Sequence, residues 1–282
     1  MINVLTALQK STKFLEEKNI ESPRMNAELL LADILKCNRL DLYLSFDRPL
    51  KDNEADLYRE FIIRRSKFEP LQYITGMVEF LDLKLHLTKD VLIPRPETEL
   101  LAEETINFAK SKNSQNILDV GTGSGNISIA LAKHLNGVNI TSIDISIAAI
   151  ALAKQNAEYN EIKNSVNFEV ADIFNYKPLQ KFDLVISNPP YVSKENFSTL
   201  QKEIIDYEPA EAVTDNSDGL KFYRYIIENS DLLLKEKGYL IFEFAEGQSD
   251  QIKALMEKNN FNLIKIIKDY QNIERIIIGE KR

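Results

Sequence analysis

The sequence predicts an α/β protein in which a small helical domain precedes a doubly wound, mostly parallel sheet. From about residue 93 onward, short apolar runs of strand length alternate with segments of helical pattern, which is typical of βα units. The first of these runs leads into a glycine-rich turn and then a helix, as in nucleotide-binding βαβ units. We therefore expect a helical domain at residues 1–75, a β-hairpin at 76–92 and an α/β domain at 93–282.

The first part is predicted to be helical because its apolar residues recur at helical spacing. Leu5, Leu8 and Leu15 share one helix face, and Pro23 follows Ser22 as a first-turn proline follows an N-cap residue. The hairpin is predicted from leucines that alternate with other residues, at Leu81, Leu83, Leu85 and Leu87.

The last part contains a series of apolar runs that indicate strands. These runs lie at residues 116–120, 138–144, 166–171, 182–187, 238–244, 261–267 and 273–278. Helices are expected between them, including one at 146–159 and one at 219–236.

The glycine-rich turn directly follows the run that ends at Val120. It reads Gly121-Thr122-Gly123-Ser124-Gly125, and glycine permits positive φ angles and close backbone approach to a ligand. A dinucleotide fingerprint would need a further glycine at the position of Asn126. The G-x-G-x-G spacing is instead the pattern of S-adenosylmethionine sites, so we expect these five residues to bind that donor.

Acidic residues at strand ends extend the predicted donor site. Asp144 lies about 20 residues after the first glycine, where a carboxylate can accept hydrogen bonds from both ribose hydroxyls. Asp119 can meet the amino group of the donor, directly or through water. Asp172 and Ile173 follow the next strand, where the adenine should lie. The simpler alternative for such an acid is a surface residue at a strand end.

Asn188-Pro189-Pro190-Tyr191 follows the apolar run 182–187 and is the most informative stretch of the chain. Two prolines end a strand, because each lacks an N–H and has a fixed φ, and they hold the preceding residue in an extended conformation. The Asn188 side chain offers a carbonyl acceptor, the Pro189 carbonyl is left without a sheet partner, and Tyr191 adds an aromatic face. These groups suit a planar group that bears an NH₂. The alternative is a strand-terminating turn without further function.

Composition excludes several other classes of protein. The chain has 282 residues with 44% hydrophobic and 28% charged residues, as expected of a globular protein. With a single cysteine, Cys37, and two distant histidines, His86 and His134, we expect no disulfide, no metal site and no serine–histidine triad. We find neither a signal peptide nor an apolar segment of membrane-spanning length, so we expect a cytoplasmic enzyme without membrane contact.

The net charge of −8 argues against general binding to nucleic acid, which needs a basic surface. One basic run, from Arg64 to Lys67, is better interpreted as the solvated C-terminal end of a helix.

Several motifs together resemble one family. The chain is similar, over nearly its full length, to the glutamine N5-methyltransferases that modify bacterial peptide chain release factors. The resemblance rests on Glu69–Gly76, Val91–Glu99, Gly121–Gly125, Asp144, Asn188–Tyr191 and Tyr207–Pro209. The combination of the Pro-Arg-Pro-Glu-Thr-Glu run with Asn-Pro-Pro-Tyr is the specific part. One departure is Ala245, which stands where the family usually has glycine.

The resemblance implies a class I S-adenosylmethionine-dependent methyltransferase with a Rossmann-like sheet whose last strand is antiparallel. It implies a substrate-docking role for residues 1–75 and methylation of the glutamine in the Gly-Gly-Gln motif of release factors, with S-adenosylhomocysteine as the product. Asn188, Pro189 and Pro190 would hold the substrate amide, Tyr191 would pack on its plane, and Asn188 would also contact the donor. Arg95 and Glu97 would line the site near the donor, the alternative for these two being a helix-capping role. We expect a monomer.

Two other functions fit the same motifs. Asn-Pro-Pro-Tyr-type motifs also occur in enzymes that methylate an exocyclic amine of a DNA or RNA base, and the chemistry of a planar amine does not separate the two. The acidic balance and the family-specific runs favour a protein substrate. A third hypothesis is a donor-binding module without catalysis, against which the intact Asn188–Tyr191 stretch argues.

Overall fold

The apolar runs of the C-terminal part pair into one seven-stranded sheet. This is seen in a computed structural model that describes residues 2–162 and 165–282. The strands are β1 Met77–Phe80, β2 Leu83–His86, β3 Asn116–Val120, β4 Asn139–Asp144, β5 Val166–Val170, β6 Phe182–Ser187, β7 Leu234–Glu243, β8 Phe261–Lys268 and β9 Glu274–Lys281. β1 and β2 form a separate two-stranded sheet, and the large sheet has the order β5-β4-β3-β6-β7-β9-β8.

The helices alternate with these strands after a helical N-terminal region. They are α1 Val4–Glu17, α2 Pro23–Leu35, α3 Asp41–Leu44, α4 Asp52–Arg65, α5 Leu71–Thr75, α6 Pro96–Lys112, α7 Asn126–His134, α8 Ile147–Tyr159, α9 Lys194–Phe197, α10 Lys202–Tyr207, α11 Ala210–Val213, α12 Lys221–Glu228, α13 Ser230–Leu233 and α14 Ser249–Lys258. Within the described ranges, none of them is both long and apolar enough to cross a membrane.

Only the last strand runs against the others in the large sheet. β3 pairs in parallel with β4 and β6, β4 with β5, and β6 with β7, whereas β9 is antiparallel to both β7 and β8. This arrangement confirms the predicted mostly parallel sheet with an antiparallel last strand.

Helices cover both faces of the sheet, as a doubly wound fold requires. Leu118 and Val120 of β3 pack with Tyr223 of α12 in one apolar cluster, while Ile117 of β3 packs with Leu131 of α7 in another. Successive residues of a strand point to opposite faces, so one strand contributes to both clusters. Both faces are therefore buried, which explains why a central strand such as β6 is largely apolar.

One predicted element differs. The expected helix at 219–236 is two short helices, α12 and α13, and β7 begins already at Leu234. The interruption falls at Asn229, which has φ −103° and ψ 17° and whose side chain donates to the Tyr225 carbonyl at 2.9 Å. The apolar pattern could not show this break, because Leu233 and Leu234 are buried in either conformation.

The chain divides into two compact units. The first consists of the residues up to Met77 together with Gln201–Tyr207, and the second of Val78–Leu200 with Glu208–Arg282. The short segment 201–207 was expected within the C-terminal part, and nothing in the sequence pattern indicated that it packs with the N-terminal helices.

A buried arginine explains why this segment belongs to the first unit. Arg65 is only 4% exposed, and its guanidinium donates to Asn26, to the Glu69 carbonyl and to the carboxylate of Glu203. A buried guanidinium needs such partners, since an unpaired buried charge is strongly destabilising. The interpretation of Arg64–Lys67 as a solvated helix end is therefore wrong for Arg65.

The second unit is fastened internally by Asn156 of α8. Its side chain is fully buried; it accepts from the His86 amide at 2.7 Å and donates to the His86 carbonyl at 3.0 Å. It also donates to the Ser124 carbonyl at 2.9 Å. One amide thus ties α8 to β2 and to the glycine turn.

We predict that Asn156→Ala lowers the free energy of unfolding by roughly 2–4 kcal/mol, since each buried group left unpaired costs about 1–3 kcal/mol. The matched control is Asn160→Ala, one helical turn later, whose half-exposed side chain bonds Lys84 in the same strand. Water can replace those bonds, so a smaller loss is expected. Urea unfolding followed by circular dichroism measures both, and equal losses would contradict the special role of Asn156.

Candidate active site

The predicted site residues meet at the carboxyl ends of four adjacent parallel strands. In the order β5-β4-β3-β6, the strands are followed by Asp172, the end residue Asp144, the glycine turn and Asn188. The strand register places these ends side by side, because Val120 at the end of β3 pairs with both Ile143 of β4 and Ser187 of β6. Ligands of open α/β sheets bind at this edge.

The glycine turn has open space beside its backbone at Gly123, and its polar side chains are buried. Gly121, Gly123 and Gly125 have φ of 88°, 53° and 84°. A Cβ on Gly123 would meet nothing within 4 Å, so this residue leaves open space. A Cβ on Gly125 would lie 2.9 Å from Ile129 Cδ1 and 3.0 Å from Ala153 Cβ. Gly123 therefore permits ligand approach, whereas Gly125 permits α7 to pack against α8.

The polar side chains of the turn point into the protein and form hydrogen bonds there. Thr122 and Ser124 are each 1% exposed; the Thr122 hydroxyl hydrogen-bonds Ser142 at 2.8 Å, and the Ser124 hydroxyl donates to Asn126 at 3.4 Å. Because both side chains are buried, the predicted contacts of Thr122 and Ser124 with the donor would have to come from their main-chain atoms.

Asp119 lies fully buried beneath the turn. Its Oδ2 accepts hydrogen bonds from Ser128 and from Ser142, the latter at 2.9 Å, while its Oδ1 has no partner among the described residues. Burial raises the pKa of Asp119 to about 6, and the two serine hydroxyls oppose that rise. An unpaired buried carboxylate oxygen is costly unless a donor reaches it.

Asp144 connects the glycine turn to the next helix. Its Oδ2 accepts from the Gly123 amide and its Oδ1 from the Ser146 amide, both at 2.9 Å. Each oxygen has a second lone pair, so two further donors can be accepted. Burial raises its pKa from the ordinary value.

Asp172 and Ile173 follow β5. The Asp172 carboxylate accepts from the Phe174 amide and from the Asn175 side chain, both at 3.0 Å, and so caps a short 3-10 turn at Ile173–Asn175. Ile173 is 5% exposed and belongs to the larger apolar cluster of the sheet. Their predicted contact with adenine stays a prediction.

Asn188 and Pro189 keep two acceptors available beside the glycine turn. The Asn188 amide nitrogen donates to Thr98 Oγ1 at 3.0 Å, whereas neither Asn188 Oδ1 nor the Pro189 carbonyl accepts a hydrogen bond within the part of the chain that the structure describes. A Cβ on Gly121 would lie 3.9 Å from the Asn188 carbonyl oxygen, so the two motifs adjoin. Pro189 is buried and Pro190 is half-buried.

Tyr191 and the N-terminus of α6 complete the surroundings. The half-buried Tyr191 ring packs against the larger apolar cluster, and its burial raises the pKa of the hydroxyl well above its ordinary value. Arg95 forms an ion pair with the buried Glu208, which also accepts from the Ile93 amide at 3.2 Å. Glu97 lies close enough to Tyr191 and Glu243 to raise the pKa of both.

The sequence analysis missed a clamp on the main chain of Tyr191. Gln248 Nε2 donates to the Tyr191 carbonyl at 3.0 Å and to the Gly219 carbonyl at 3.2 Å, and Gln248 Oε1 accepts from the Ala245 amide at 3.0 Å. Gly219 has φ 83°, and a Cβ there would lie 2.5 Å from the Tyr191 oxygen. The sequence could not predict this contact, because neither Gly219 nor Gln248 belongs to a local pattern that indicates which distant residue it touches.

Comparisons with known proteins agree with the site. A family model described as the PrmC N-terminal domain matches residues 6–76, and one described as a methyltransferase domain matches residues 111–278. A release factor glutamine methyltransferase from Fusobacterium nucleatum is 40% identical over 98% of this chain and 78% of its own length. One from Buchnera aphidicola is 37% identical over 100% of both chains. The chain belongs to the release factor glutamine methyltransferase family.

Membership confirms the family predicted from the motifs. Solved structures with similar folds include the hMettl16 catalytic domain in complex with an RNA hairpin, with a TM-score of 0.55 at 15% identity over 81% of this chain and 82% of that one. A methyltransferase from Pyrococcus furiosus has a TM-score of 0.51 at 16% identity over 71% and 90%. These likenesses support the methyltransferase fold of the family.

We predict that Gly219→Ala lowers the rate of methyl transfer roughly 10–100-fold, because displacement of a positioning group by a fraction of an ångström misaligns the reacting groups. The control is Gly137→Ala, which has a similar φ of 71° but nothing within 4 Å of its Cβ. The Gly137→Ala variant therefore has a similarly unfavourable positive φ to Gly219→Ala, but its new Cβ collides with no other atom. Single-turnover assays compare the two, and an equal effect of both substitutions would contradict the clamp.

Proposed function

We propose that this protein transfers a methyl group from S-adenosylmethionine to the side-chain amide nitrogen, N5, of the glutamine in the Gly-Gly-Gln motif of peptide chain release factors. The observation that carries the proposal is the pair of free acceptors, Asn188 Oδ1 and the Pro189 carbonyl, beside the glycine turn. Two acceptors at one point fit the two hydrogens of a planar NH₂ group.

The residues present fit the donor. Open space at Gly123 admits the methionine part, and the unpaired Asp119 Oδ1 supports the predicted contact with its amino group, directly or through water. The spare lone pairs of Asp144 fit the ribose hydroxyls, and Asp172 with Ile173 adjoins them for the adenine, since the Ala171 amide donates to the Asp144 carbonyl at 2.9 Å. When bound, S-adenosylmethionine supplies an electrophilic sulfonium methyl group and leaves as S-adenosylhomocysteine.

The acceptors account for the reactivity of a poor nucleophile. The lone pair of an amide nitrogen is delocalised into its carbonyl, and attack on the methyl group draws positive charge onto that nitrogen. Hydrogen bonds from the NH₂ to Asn188 Oδ1 and to the Pro189 carbonyl strengthen as this charge develops. A preorganised partner of this kind is typically worth about 10²–10³ in rate. The N–C bond forms as the S–C bond breaks, its electron pair stays on sulfur, and the methylated nitrogen then releases one proton to solvent.

Surrounding residues hold the substrate amide in place. The Tyr191 ring packs on the plane of the amide, and its position is set by the Gln248 and Gly219 contacts of its carbonyl. Pro190 keeps the turn rigid. Arg95 fixes the start of α6 through Glu208, and Glu97 lines the site as a carboxylate without a hydrogen-bond partner among the described residues.

We further propose that residues 1–75 dock the release factor. Leu40 and Leu44 lie in and beside the short helix α3 and are 72% and 89% exposed. Contiguous exposed apolar patches on soluble proteins mark interaction surfaces, and these two leucines supply the apolar part of the surface that we propose. Binding energy from such a remote contact can hold a folded substrate while its glutamine enters the site.

The remaining features of the proposal follow from the substrate. Release factors act on ribosomes, so we propose a cytoplasmic enzyme. The candidate site is built from one chain, which supports a monomer, and the acidic balance of the sequence supports a protein rather than a nucleic acid as the partner.

The central test is Asn188→Ala in single-turnover methylation of a purified release factor. We predict a loss of at least about 10² in rate, because the acceptor that matters most in the transition state is removed. Affinity for S-adenosylhomocysteine, measured by calorimetry, should change little. Asn188→Asp should be less damaging, since a carboxylate keeps an acceptor, although it adds a charge that must be desolvated.

The same assay separates the competing functions. Wild-type protein should methylate the release factor and lose that activity when the glutamine of its Gly-Gly-Gln motif is replaced. Transfer to DNA or RNA in place of protein would support a base methyltransferase, and no transfer to either would support a non-catalytic module. Near wild-type turnover by Asn188→Ala would mean that the Asn188–Tyr191 stretch is only a strand-terminating turn without a role in catalysis.

A separate prediction concerns docking. Leu40→Ser combined with Leu44→Ser should raise KM for the folded release factor roughly 10-fold, because remote apolar contact is lost, while leaving turnover of a short Gly-Gly-Gln peptide unchanged. The control is Leu179→Ser in the other unit, at a leucine with 106% exposure. Equal changes on protein and peptide would argue against a docking role.

A further inference from the structure

A line of three polar groups reaches Asn188 from the interior of the α/β unit. Asn188 donates to Thr98 Oγ1 at 3.0 Å, and Thr98 lies in the first turn of α6 and is 2% exposed. The carboxyl group of Glu243, which ends β7, is close enough to the Thr98 hydroxyl for that hydroxyl to lower the pKa of the carboxyl group. Ser187 pairs with Phe242, so Asn188 and Glu243 are the next residues of neighbouring parallel strands.

Glu243 has little else to satisfy its carboxyl group. The residue is 1% exposed, and its Oε2 has no hydrogen-bond partner among the residues that the structure describes. Burial raises its pKa to about 7, while the Thr98 hydroxyl lowers it. Once ionised, a buried carboxylate accepts hydrogen bonds and cannot donate, so it draws the hydroxyl hydrogen of Thr98 toward itself.

In the ionised state of Glu243, the direction of each hydrogen bond in the line follows. A hydroxyl has one hydrogen, and when that hydrogen goes to Glu243 its oxygen can only accept from the Asn188 amide. The two ends of an asparagine amide have nearly the same shape, so geometry alone does not decide which end faces Thr98. The chemistry of Thr98 and Glu243 decides it: the NH₂ faces Thr98 and Oδ1 faces the opposite way.

We propose that Thr98 and Glu243 are positioning residues that hold the Asn188 amide with Oδ1 toward the substrate. The inference rests on the proposed function, in which Oδ1 accepts from the glutamine NH₂. The reversed amide would set its own NH₂ against the NH₂ of the substrate, and two donors repel. Neither Thr98 nor Glu243 needs to touch the substrate or the donor for this role.

The test replaces the Thr98 hydroxyl with a methyl group, which leaves the shape of the side chain nearly unchanged. Thr98→Val should slow single-turnover methylation of a release factor roughly 10–100-fold at saturating donor, while Thr98→Ser, which keeps the hydroxyl, should retain most of the activity. Glu243→Gln should be slowed similarly, because the new amide can donate to Thr98. The Thr98 hydroxyl would then be free to donate to Asn188, which would turn the Asn188 amide around. Affinity for S-adenosylhomocysteine should change less than about 2-fold in all three variants.

Thr105→Val provides the matched control. Thr105 lies on the same helix, is fully buried, and donates only to the Leu101 carbonyl of its own helix at 2.7 Å. Its substitution has the same chemistry and burial as Thr98→Val without contact to Asn188, so it should leave the rate unchanged.

A double-substitution cycle shows whether Thr98 acts through Asn188. In an Asn188→Ala background, Thr98→Val should add less than about a 2-fold further loss. A loss of the same size in both backgrounds would mean that Thr98 acts elsewhere, and would overturn the proposal. Normal turnover by Thr98→Val would overturn it as well.

One measurement is independent of catalysis. The side-chain NH₂ of Asn188, assigned in a ¹⁵N spectrum by its loss in Asn188→Ala, should shift in Thr98→Val and in Glu243→Gln but not in Thr105→Val. If wild-type protein failed to methylate release factors, the proposed function would fall while an NH₂ shift of this pattern still supported the orientation. An unchanged NH₂ signal in Thr98→Val would refute the orientation whatever the activity.

Discussion

The turn at Asn188-Pro189 depends on a constraint that the sheet imposes. β6 is buried on both faces and hydrogen-bonded on both sides, so its last residue is held in register with both β3 and β7. Two prolines then stop the ladder without loosening it, because their φ angles are fixed. The Pro189 carbonyl, which would otherwise pair within the sheet, is left without a hydrogen bond among the described residues. The contact of Tyr191 with Gln248 and that of Asn188 with Thr98 lie just beyond this end, and the glycine turn after β3 adjoins it.

The architecture was readable from the sequence because it rests on strong local patterns. β3 and β6 were predicted at their observed bounds, since an apolar run followed by glycine or proline marks both the strand and its end. The helix at 219–236 was predicted too long, because Leu233 and Leu234 fit a buried helix and a buried strand equally well. Apolar periodicity reports burial, and it separates helix from strand only when the run is long enough.

The site was predictable only in part, for a related reason. Residues in contiguous motifs, such as Gly121–Gly125 and Asn188–Tyr191, could be predicted to lie together, because each motif directly follows a strand of the same parallel sheet. Thr98, Gly219 and Gln248 could not, since each acts on a residue that is distant in sequence, as Gln248 does on the Tyr191 carbonyl 57 residues away. The glycine repeat also combines two different situations: a Cβ on Gly123 would meet open space, whereas a Cβ on Gly125 would collide with Ile129 and Ala153.

The pairing of Arg65 with Glu203 bears on how this chain can be divided. The contact joins residues 138 apart, so the N-terminal unit is compact in space but discontinuous along the chain. A fragment that stops at Met77 keeps the buried guanidinium and loses the carboxylate that neutralises it. The complementary fragment carries α10 without the helices on which it packs. Each piece therefore lacks contacts that the whole chain makes, and recombination between relatives at position 77 would exchange half of an ion pair.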